Sequence, residues 1–349
     1  MIHNFPSDSA NDLWNTLSSD FCSHQSNWKE TNRNGIVTKE LLHVSFSIAN
    51  SRQRWIQARP KAINIALSIA EVIWIITGRS DSNFLKAFFP SIIKFAGNEV
   101  NFHGAYGNRL RQHFGIGDQL QRAYEVLLND PLNRQVVLTI WDPSLDLPNP
   151  NGSPQSKDIP CNIVSLLKIR NDRLEWMQIM RSNDLYKGLP NNIVQFTSLQ
   201  EILAGWLGVE PGEYNHVSDS LHVYEHEIQY VKPGPNSMEI QNGDNLSAPK
   251  QESDLYFNLI AQLIENAIWS DASAKQLTHI GRDIQCPDSY KNLLHVLVSE
   301  LIRRKKDLSS AQERMSLCTN ANFRLMWNKW MLREHPRWSR EQDISCVNQ

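Results

Sequence analysis

The chain has 349 residues, an ordinary apolar fraction and a formal net charge of −2. A nearly neutral chain lacks the basic excess of a dedicated nucleic-acid binder, so nucleic acid is not an expected partner. The five cysteines are odd in number and form no CxxC pair, which argues against a disulfide framework or a thiolate zinc site and favours a reducing, cytoplasmic location.

The N-terminal part of the chain predicts an extension followed by a strand and two helices. Residues 1–30 are polar, rich in Ser and Asn, and lack the features of a signal peptide, so we expect an N-terminal extension with a short helix. Alternating apolar residues predict a strand within 36–48. The apolar stretch 62–77 is too short and too polar to cross a membrane and predicts a buried helix that ends near Gly78. A second helix follows the capping residue Asp118.

Strand signals dominate the middle of the chain. The turn residues 170–173 separate two apolar stretches and predict a hairpin. A long helix is expected from Pro190 to about Gly208. The strands are expected at 135–141, 163–169, 174–180 and 221–224.

This order of elements predicts an α+β fold in which a mainly antiparallel sheet packs with long helices. We expect the N-terminal extension at 1–30, a catalytic core at 31–232, a linker rich in Pro, Gly, Asn and Ser at 233–251, and a helical C-terminal segment at 252–349.

The residues that carry chemistry cluster around the predicted hairpin. Cys161 follows a proline-bearing loop at the head of one strand, and Arg181 ends the next, so the hairpin would bring a guanidinium beside the thiol and lower its pKa. Arg181 and Ser182 offer donors to an oxyanion such as phosphate. Asn192 offers a donor and an acceptor that can read the amide edge of uracil. Structural roles stay open for each: a buried cysteine, a surface ion pair and a helix cap.

These motifs resemble the thymidylate synthase family, which includes the pyrimidine hydroxymethylases. Pro160-Cys161 is similar to the family's nucleophile motif. The run Arg181-Ser182-x-Asp184-x-x-x-Gly188-x-Pro190-x-Asn192 matches its nucleotide-binding motif in identity and spacing. His222-x-Tyr224, preceded by His216, is similar to its sugar-binding segment.

Further family motifs lie upstream, and the resemblance spans about residues 30–230. They are Arg33-Asn34-Gly35, Glu71, Tyr106-Gly107-x-Arg109-x-Arg111 and Asp118-Gln119-Leu120.

The resemblance implies transfer of one carbon from 5,10-methylenetetrahydrofolate to carbon 5 of a uridine-type nucleotide monophosphate such as dUMP, through a covalent adduct at Cys161. We expect the reaction of a thymidylate synthase, and the alternative is a 5-hydroxymethylase that acts on dUMP or UMP. A homodimer is implied, and neither a metal nor a membrane is expected. The implied catalytic residues are Cys161 as the nucleophile, Glu71 and Tyr106 in proton transfer, Arg181, and Asn192 as the reader of the base. The implied ligand-binding residues are Arg33, Ser182 and a partner-derived Arg134 for phosphate, His222 and Tyr224 for the sugar, and Asp184 and Lys61 for folate.

Several departures from the family pattern bear on the product. Ile92, or a neighbour, stands where a tryptophan helps to handle the exocyclic methylene intermediate, and residues 343–349 do not match the apolar tail that closes the site. Without these features water could replace hydride and give a 5-hydroxymethyl product rather than the methyl product of a thymidylate synthase. The other departures are Gln135 for Arg, Asn162 for His, Met180 for Gln and Ser220 for Asp.

Other hypotheses stay open at this point. The chain could be a non-catalytic nucleotide-binding homologue. Cys161 could pair with His216 or His222 in a cysteine hydrolase, although no hydrolase signature accompanies it. His216, His222 and His226 could hold a metal, although carboxylate or thiolate partners at metal spacing are not evident.

Overall fold

A computed structural model of the chain describes residues 2–33, 35–235 and 239–336. These residues form eight β-strands and thirteen α-helical segments. The strands are β1 (His3–Ser7), β2 (Lys29–Arg33), β3 (Ile36–Ile48), β4 (Val137–Thr139), β5 (Asn162–Arg170), β6 (Arg173–Met180), β7 (Asn183–Asp184) and β8 (Glu210–Tyr224).

The helices alternate with the strands in the first two thirds of the chain and then continue alone. They are α1 (Ala10–Ser23), α2 (Ile65–Ile76), α3 (Ser82–Lys86), α4 (Ile93–Ala96), α5 (Tyr106–Asn108), α6 (Gln119–Asn129), α7 (Pro143–Asp146), α8 (Gly188–Leu207), α9 (Lys250–Trp269), α10 (Ala274–Leu277), α11 (Asp288–Arg304), α12 (Leu308–Ser316) and α13 (Ala321–Glu334). None of the helices in the described ranges combines the length and apolarity that a membrane crossing requires.

All strands belong to one mixed sheet, with the order β1-β3-β8-β6-β5-β4, and with β2 and β7 added beside β3 and β8. The pairs β2–β3, β3–β8, β4–β5 and β5–β6 are antiparallel, whereas β1–β3, β6–β8 and β7–β8 are parallel. The predicted α+β class with a mainly antiparallel sheet is therefore confirmed.

The predicted hairpin is confirmed as β5–β6. Asn171 and Asp172 occupy its turn with φ of 51° and 55°, a left-handed conformation that Asn and Asp tolerate and that suits a two-residue hairpin loop. Arg170 pairs with Arg173 next to the turn, and Asn162 pairs with Met180 at the far end. The register therefore places Cys161 directly opposite Arg181, whose backbone N–H donates to the Cys161 carbonyl at 3.0 Å.

Two helices carry side chains to the open end of this hairpin. Helix α2 begins after Asn64, whose side chain accepts from the backbone of Leu67, and ends just before Gly78, as predicted. Helix α8 ends at Gly208 in the left-handed conformation, also as predicted. Because α8 packs against β6, β8 and α2, it joins the sheet to α2.

Two strand predictions were wrong in length. The strand expected at 135–141 is only three residues long, because the Gln135 amide donates to the Asn133 side chain and the amides of Ile140 and Trp141 share one carbonyl. The strand expected at 221–224 begins eleven residues earlier, at Glu210. Pro211 is a poor strand former and gives no local signal for a strand, but pairing with Leu174 of β6 holds it in the sheet.

The two ends of the chain pack onto this centre. Strand β1 pairs with β3, and the Trp14 indole of α1 donates to the Lys232 carbonyl at 3.1 Å. Helices α9, α11 and α13 contact α2, and their apolar side chains share one hydrophobic core with the sheet. The division of the chain at residues 30, 232 and 251 stays a prediction. Residues 343–349 lie outside the described residues.

Candidate active site

A cavity of about 670 Å³ lies where the loop before β5 meets α2 and α8. This volume is typical of sites for small molecules. Of the twelve predicted site residues, seven line the cavity: Arg33, Glu71, Tyr106, Cys161, Arg181, Asn192 and Tyr224.

Cys161 lies at the mouth of the hairpin, with the Arg181 Nη2 atom 3.8 Å from its sulfur. Arg181 also donates through Nε to the Pro160 carbonyl at 3.0 Å and through Nη2 to the Ile159 carbonyl at 3.2 Å. Burial raises the pKa of the Cys161 thiol, and the Arg181 charge offsets part of that rise. The expected lowering by arginine is thus present, but burial outweighs it. The guanidinium both fixes the loop and supports the thiolate.

Glu71 is the carboxyl group of the cavity on α2. Burial raises its pKa to about 7, and a hydrogen bond from Gln195 opposes that rise. The Gln195 Nε2 atom lies 2.9 Å from Glu71 Oε2. A carboxyl group with a pKa near 7 can both accept and release a proton at neutral pH, which is what general acid–base catalysis requires.

Tyr106 is held against α2 by a close backbone approach. A Cβ atom on Gly107 would lie 2.7 Å from the carbonyl of Trp74 and 2.8 Å from that of Ile75, so only glycine fits there. Burial raises the pKa of the Tyr106 phenol well above its usual range, so it stays protonated and can act as a hydrogen-bond donor.

Asn192 lies in the first turns of α8 and is 8% exposed. Its Nδ2 atom donates to Asn183 Oδ1 at 3.1 Å, and Asn183 donates to Ser218 Oγ at 3.2 Å. The hypothesis that Asn192 caps the helix is wrong, because α8 already begins at Gly188 and the Asn192 side chain donates to Asn183 instead of accepting from the first turn. The amide is therefore anchored on one side and borders the cavity on the other.

Three predicted residues lie just behind the cavity lining. Ser182 Oγ is 3.4 Å from His222 Nδ1, and burial lowers the pKa of His222. Asp184 accepts from the backbone amides of Tyr186 and Lys187 at 2.8 and 3.0 Å, which fixes the entry into α8. Its negative charge also contributes to the raised pKa of Cys161.

The last two predicted residues lie elsewhere. Arg134 is exposed in the loop between α6 and β4. Lys61 Nζ lies 3.5 Å from the centre of the Tyr230 ring, in a second cleft of about 550 Å³ that Arg59, Lys329 and Arg333 also line.

The departures from the family pattern are accommodated in different ways. Ile92 and Phe95 line the cavity. Asn162 is fully buried, and its Oδ1 accepts from Gln178 at 2.9 Å. Met180 is buried in the sheet, and Ser220 donates to Glu40.

Sequence reasoning missed six polar residues that line the cavity, namely Lys94, Ser156, Lys157, Asp158, Asn191 and Gln195. Gln195 had a usable signal, because it follows Asn192 by three residues on a predicted helix and must share its face. The two lysines lie in short, irregular segments whose positions no periodicity reveals.

The hydrolase and metal hypotheses find no geometric support. The hydrogen bonds of the described residues pair Cys161 with Arg181 and His222 with Ser182, so neither His216 nor His222 is a base for the thiol. His216 is buried beside Tyr214 and Ser218, and burial lowers its pKa to about 3. Within 2–33, 35–235 and 239–336, no three His, Cys, Asp or Glu side chains are placed to hold a metal.

The cavity brings together the three residues that the motif predicted, Cys161, Arg181 and Asn192. Comparison with known proteins supports the family that the motif indicated. A sequence profile described as thymidylate synthase matches residues 18–240. The chain belongs to the thymidylate synthase family.

Its similar relatives carry two kinds of name. A deoxyuridylate hydroxymethyltransferase of Bacillus phage SP01 is 37% identical over 196 residues, which are 53% of this chain and 50% of that protein. One of the same name from Pseudomonas phage M6 is 37% identical over 207 residues, 59% of this chain and 57% of the other. A thymidylate synthase of Clostridium beijerinckii is 24% identical over 203 residues, 58% and 73% of the two chains. The chain thus spans about half the length of the phage proteins.

Proposed function

We propose that the protein transfers one carbon from 5,10-methylenetetrahydrofolate to carbon 5 of a uridine-type nucleotide monophosphate, through a covalent adduct at Cys161. One observation carries the proposal: Cys161, Arg181, Asn192 and Glu71, which lie far apart in the sequence, line a single cavity. A non-catalytic nucleotide-binding homologue would have no need of a carboxyl group with a pKa of about 7 in the cavity that the thiol also lines.

The residues divide the chemistry among themselves. The Cys161 thiolate adds to carbon 6 of the uracil ring, and the displaced electron pair makes carbon 5 nucleophilic. The folate substrate supplies the one-carbon unit at the oxidation level of formaldehyde: carbon 5 bonds to the methylene carbon, the two bonds from that carbon to the folate nitrogens break, and tetrahydrofolate leaves as its nitrogens gain protons. Glu71 takes up the proton that is released during the transfer, with Tyr106 as a donor nearby. Cys161 is expelled at the end, which restores the ring double bond.

The nucleotide is held by charge at one end and by hydrogen bonds at the other. Arg181 and Arg33 line the cavity and would bind the phosphate, together with Ser182 and with Arg134 from a second copy of the chain. Asn192 would pair with the imide edge of uracil. The sugar would lie near His222 and Tyr224.

The cavity walls suit the aromatic part of a folate. Trp74, Phe95 and Phe102 are aromatic residues of the cavity lining. Asp184 would lie near the pterin. The second cleft, with Lys61 among its cations, would receive the negatively charged tail of the folate.

A specific observation favours a 5-hydroxymethyl product over the methyl product of a thymidylate synthase. Ile92 lines the cavity at the sequence position where the family has a tryptophan that handles the methylene intermediate, and the tryptophan that does line the cavity, Trp74, lies elsewhere, on α2. Two of the relatives above are named hydroxymethyltransferases of deoxyuridylate. We therefore propose that water, rather than hydride, completes the reaction.

Incubation with dUMP and 5,10-methylenetetrahydrofolate tests both parts of the proposal. Mass spectrometry of the nucleotide is expected to show a 5-hydroxymethyl product without stoichiometric dihydrofolate, whereas dihydrofolate would indicate the methyl product. UMP is tested in parallel. Cys161→Ser should abolish turnover, while Cys22→Ser, at an exposed cysteine, should not. Turnover by Cys161→Ser would contradict the covalent mechanism.

A further inference from the structure

Gln195 borders Glu71 but belongs to none of the sequence motifs, and the family resemblance implies no role for it. It lies one helical turn after Asn192 on α8, is 4% exposed, and lines the cavity. Helix α8 packs against α2, and two hydrogen bonds join them at the cavity: Ser68 Oγ donates to Asn191 Oδ1 at 2.6 Å, and Gln195 Nε2 donates to Glu71 Oε2 at 2.9 Å. Gln195 is thus the direct neighbour of the carboxyl group that the proposed reaction uses.

The other end of the Gln195 amide is unusual. Its Oε1 atom is buried, and no described residue donates a hydrogen bond to it. Buried polar atoms without partners are rare in native proteins, because each one costs free energy. Nε2 donates to Glu71 and to no other described residue, so rotation of the amide would break only this one hydrogen bond. Rotation about the last side-chain bond of Gln195 would bring Oε1, an acceptor, to the position of Nε2 beside Glu71.

Among the described residues, Gln195 is the only side-chain hydrogen-bond partner of Glu71. The ion pairs of the described residues do not include it. The titratable groups that share the cavity lining are Tyr106, Asp158, Cys161 and Tyr224, and the cations are Arg33, Lys94, Lys157 and Arg181. Both states of Glu71 are populated near neutral pH, and each needs a different partner: the carboxylate accepts a hydrogen bond, whereas the carboxylic acid donates one.

We propose that Gln195 is a positioning residue that holds Glu71 in place in both protonation states, by turning its amide over when the carboxyl group gains or loses a proton. This inference rests on the proposed role of Glu71 in proton transfer. As the oxygen of water bonds to the exocyclic methylene carbon, the π electron pair between that carbon and carbon 5 moves into the ring and then expels the Cys161 thiolate, while one water O–H bond breaks and its proton moves to Glu71. The bond from Nε2–H to the carboxylate is then replaced by one from the Glu71 O–H to Oε1. The reverse exchange follows when Glu71 releases the proton.

Two substitutions separate this proposal from a purely structural role. Gln195→Met keeps the size of the side chain but removes the amide. Gln195→Met loses the hydrogen bond from Nε2 to the Glu71 carboxylate, so the pH midpoint at which Glu71 is half deprotonated is expected to rise by about one to two units. Its kcat at pH 7 is expected to fall about tenfold, with little change in KM. Gln195→Lys can donate but cannot accept. It is expected to lower the midpoint and still to turn over poorly at every pH.

The midpoint is measured without turnover, by infrared titration of the carboxyl stretch that disappears in Glu71→Gln. Thr197→Val, at a buried position of the same helix, is the matched control, and circular dichroism checks that each variant folds. An unchanged midpoint in Gln195→Met would overturn the proposal, and so would wild-type kcat in Gln195→Lys. If the wild type converts no nucleotide, the proposed function fails, while the titration still reports whether Gln195 holds Glu71.

Discussion

Replacing Arg181 by methionine is expected to slow the reaction of Cys161 with iodoacetamide at neutral pH. The Arg181 Nη2 atom lies 3.8 Å from the sulfur, and its charge favours the thiolate against the opposing effect of burial. Methionine fills similar space but carries no charge, so the opposing effect of burial would act alone. The pKa of the thiol should then rise further, and less of the reactive thiolate should be present at any given pH.

The distance sets the size of the effect. Two unit charges 3.8 Å apart interact by about 4 kcal/mol at an effective dielectric constant of about 20. Both side chains border a cavity that is open to solvent, so screening reduces this to about 1–2 kcal/mol. That corresponds to a rise of about one unit in the pKa of Cys161. At pH 7, the alkylation rate should therefore fall about tenfold.

The assay follows alkylation of the Cys161 peptide by mass spectrometry across a range of pH. Cys22 is exposed and reacts independently, so its peptide provides an internal reference in every sample. Lys94→Met removes a different cation of the cavity lining and is the matched control, with an expected midpoint close to that of the wild type. If Arg181→Met has the same midpoint as the wild type, the guanidinium does not support the thiolate and the electrostatic reasoning is refuted.

Three further substitutions test the site and its support. The wild type should lose stability as pH rises from 4.5 to 8, because the raised pKa of Glu71 makes its ionisation unfavourable in the folded state. Glu71→Gln cannot ionise, so its free energy of unfolding in urea should exceed that of the wild type by up to about 3 kcal/mol at pH 8. The same pH dependence in both proteins would contradict this. Glu201→Gln should lower stability by about 3–5 kcal/mol at an unchanged m-value, because buried Arg54 loses its partner. Gly107→Ala should lower both Tm and kcat, since its Cβ would meet the Trp74 carbonyl, whereas Gly243→Ala has open space and should change neither.

The parts of the site that the sequence predicted are those that local geometry determines. Cys161 and Arg181 come together because a two-residue turn at Asn171 and Asp172 sets the register of one hairpin. Asn192 reaches the same cavity because the helix that carries it starts directly after β7. Turn chemistry and helical spacing can be read from a short window, so the motif and its geometry agree.

Other features depend on contacts between distant parts of the chain. The parallel pairing of β6 with β8 requires a crossover connection, which α8 provides. The composition of residues 210–220 does not predict a strand. The pairing of β1 with β3 likewise joins a polar terminal segment to the sheet. Lys61 is close in sequence to α2, but its side chain lies against Tyr230 and lines a different cleft from that of Glu71. Such placements follow from tertiary packing, which outweighs local preference.

Helix α2 shows why the C-terminal helices bear on the chemistry. Eleven of its twelve residues are buried, and the exception is Glu71. A helix that is apolar all round must be covered on every side, and here α8 covers one side while α9, α11 and α13 contact the helix from the C-terminal segment. Arg79, just after α2, donates to both carboxylate oxygens of Glu265 on α9 at 3.0 and 3.1 Å. The C-terminal helices therefore help to fix the helix that presents Glu71 to Gln195, and the position of this proposed proton-transfer group depends on residues far beyond the family motifs.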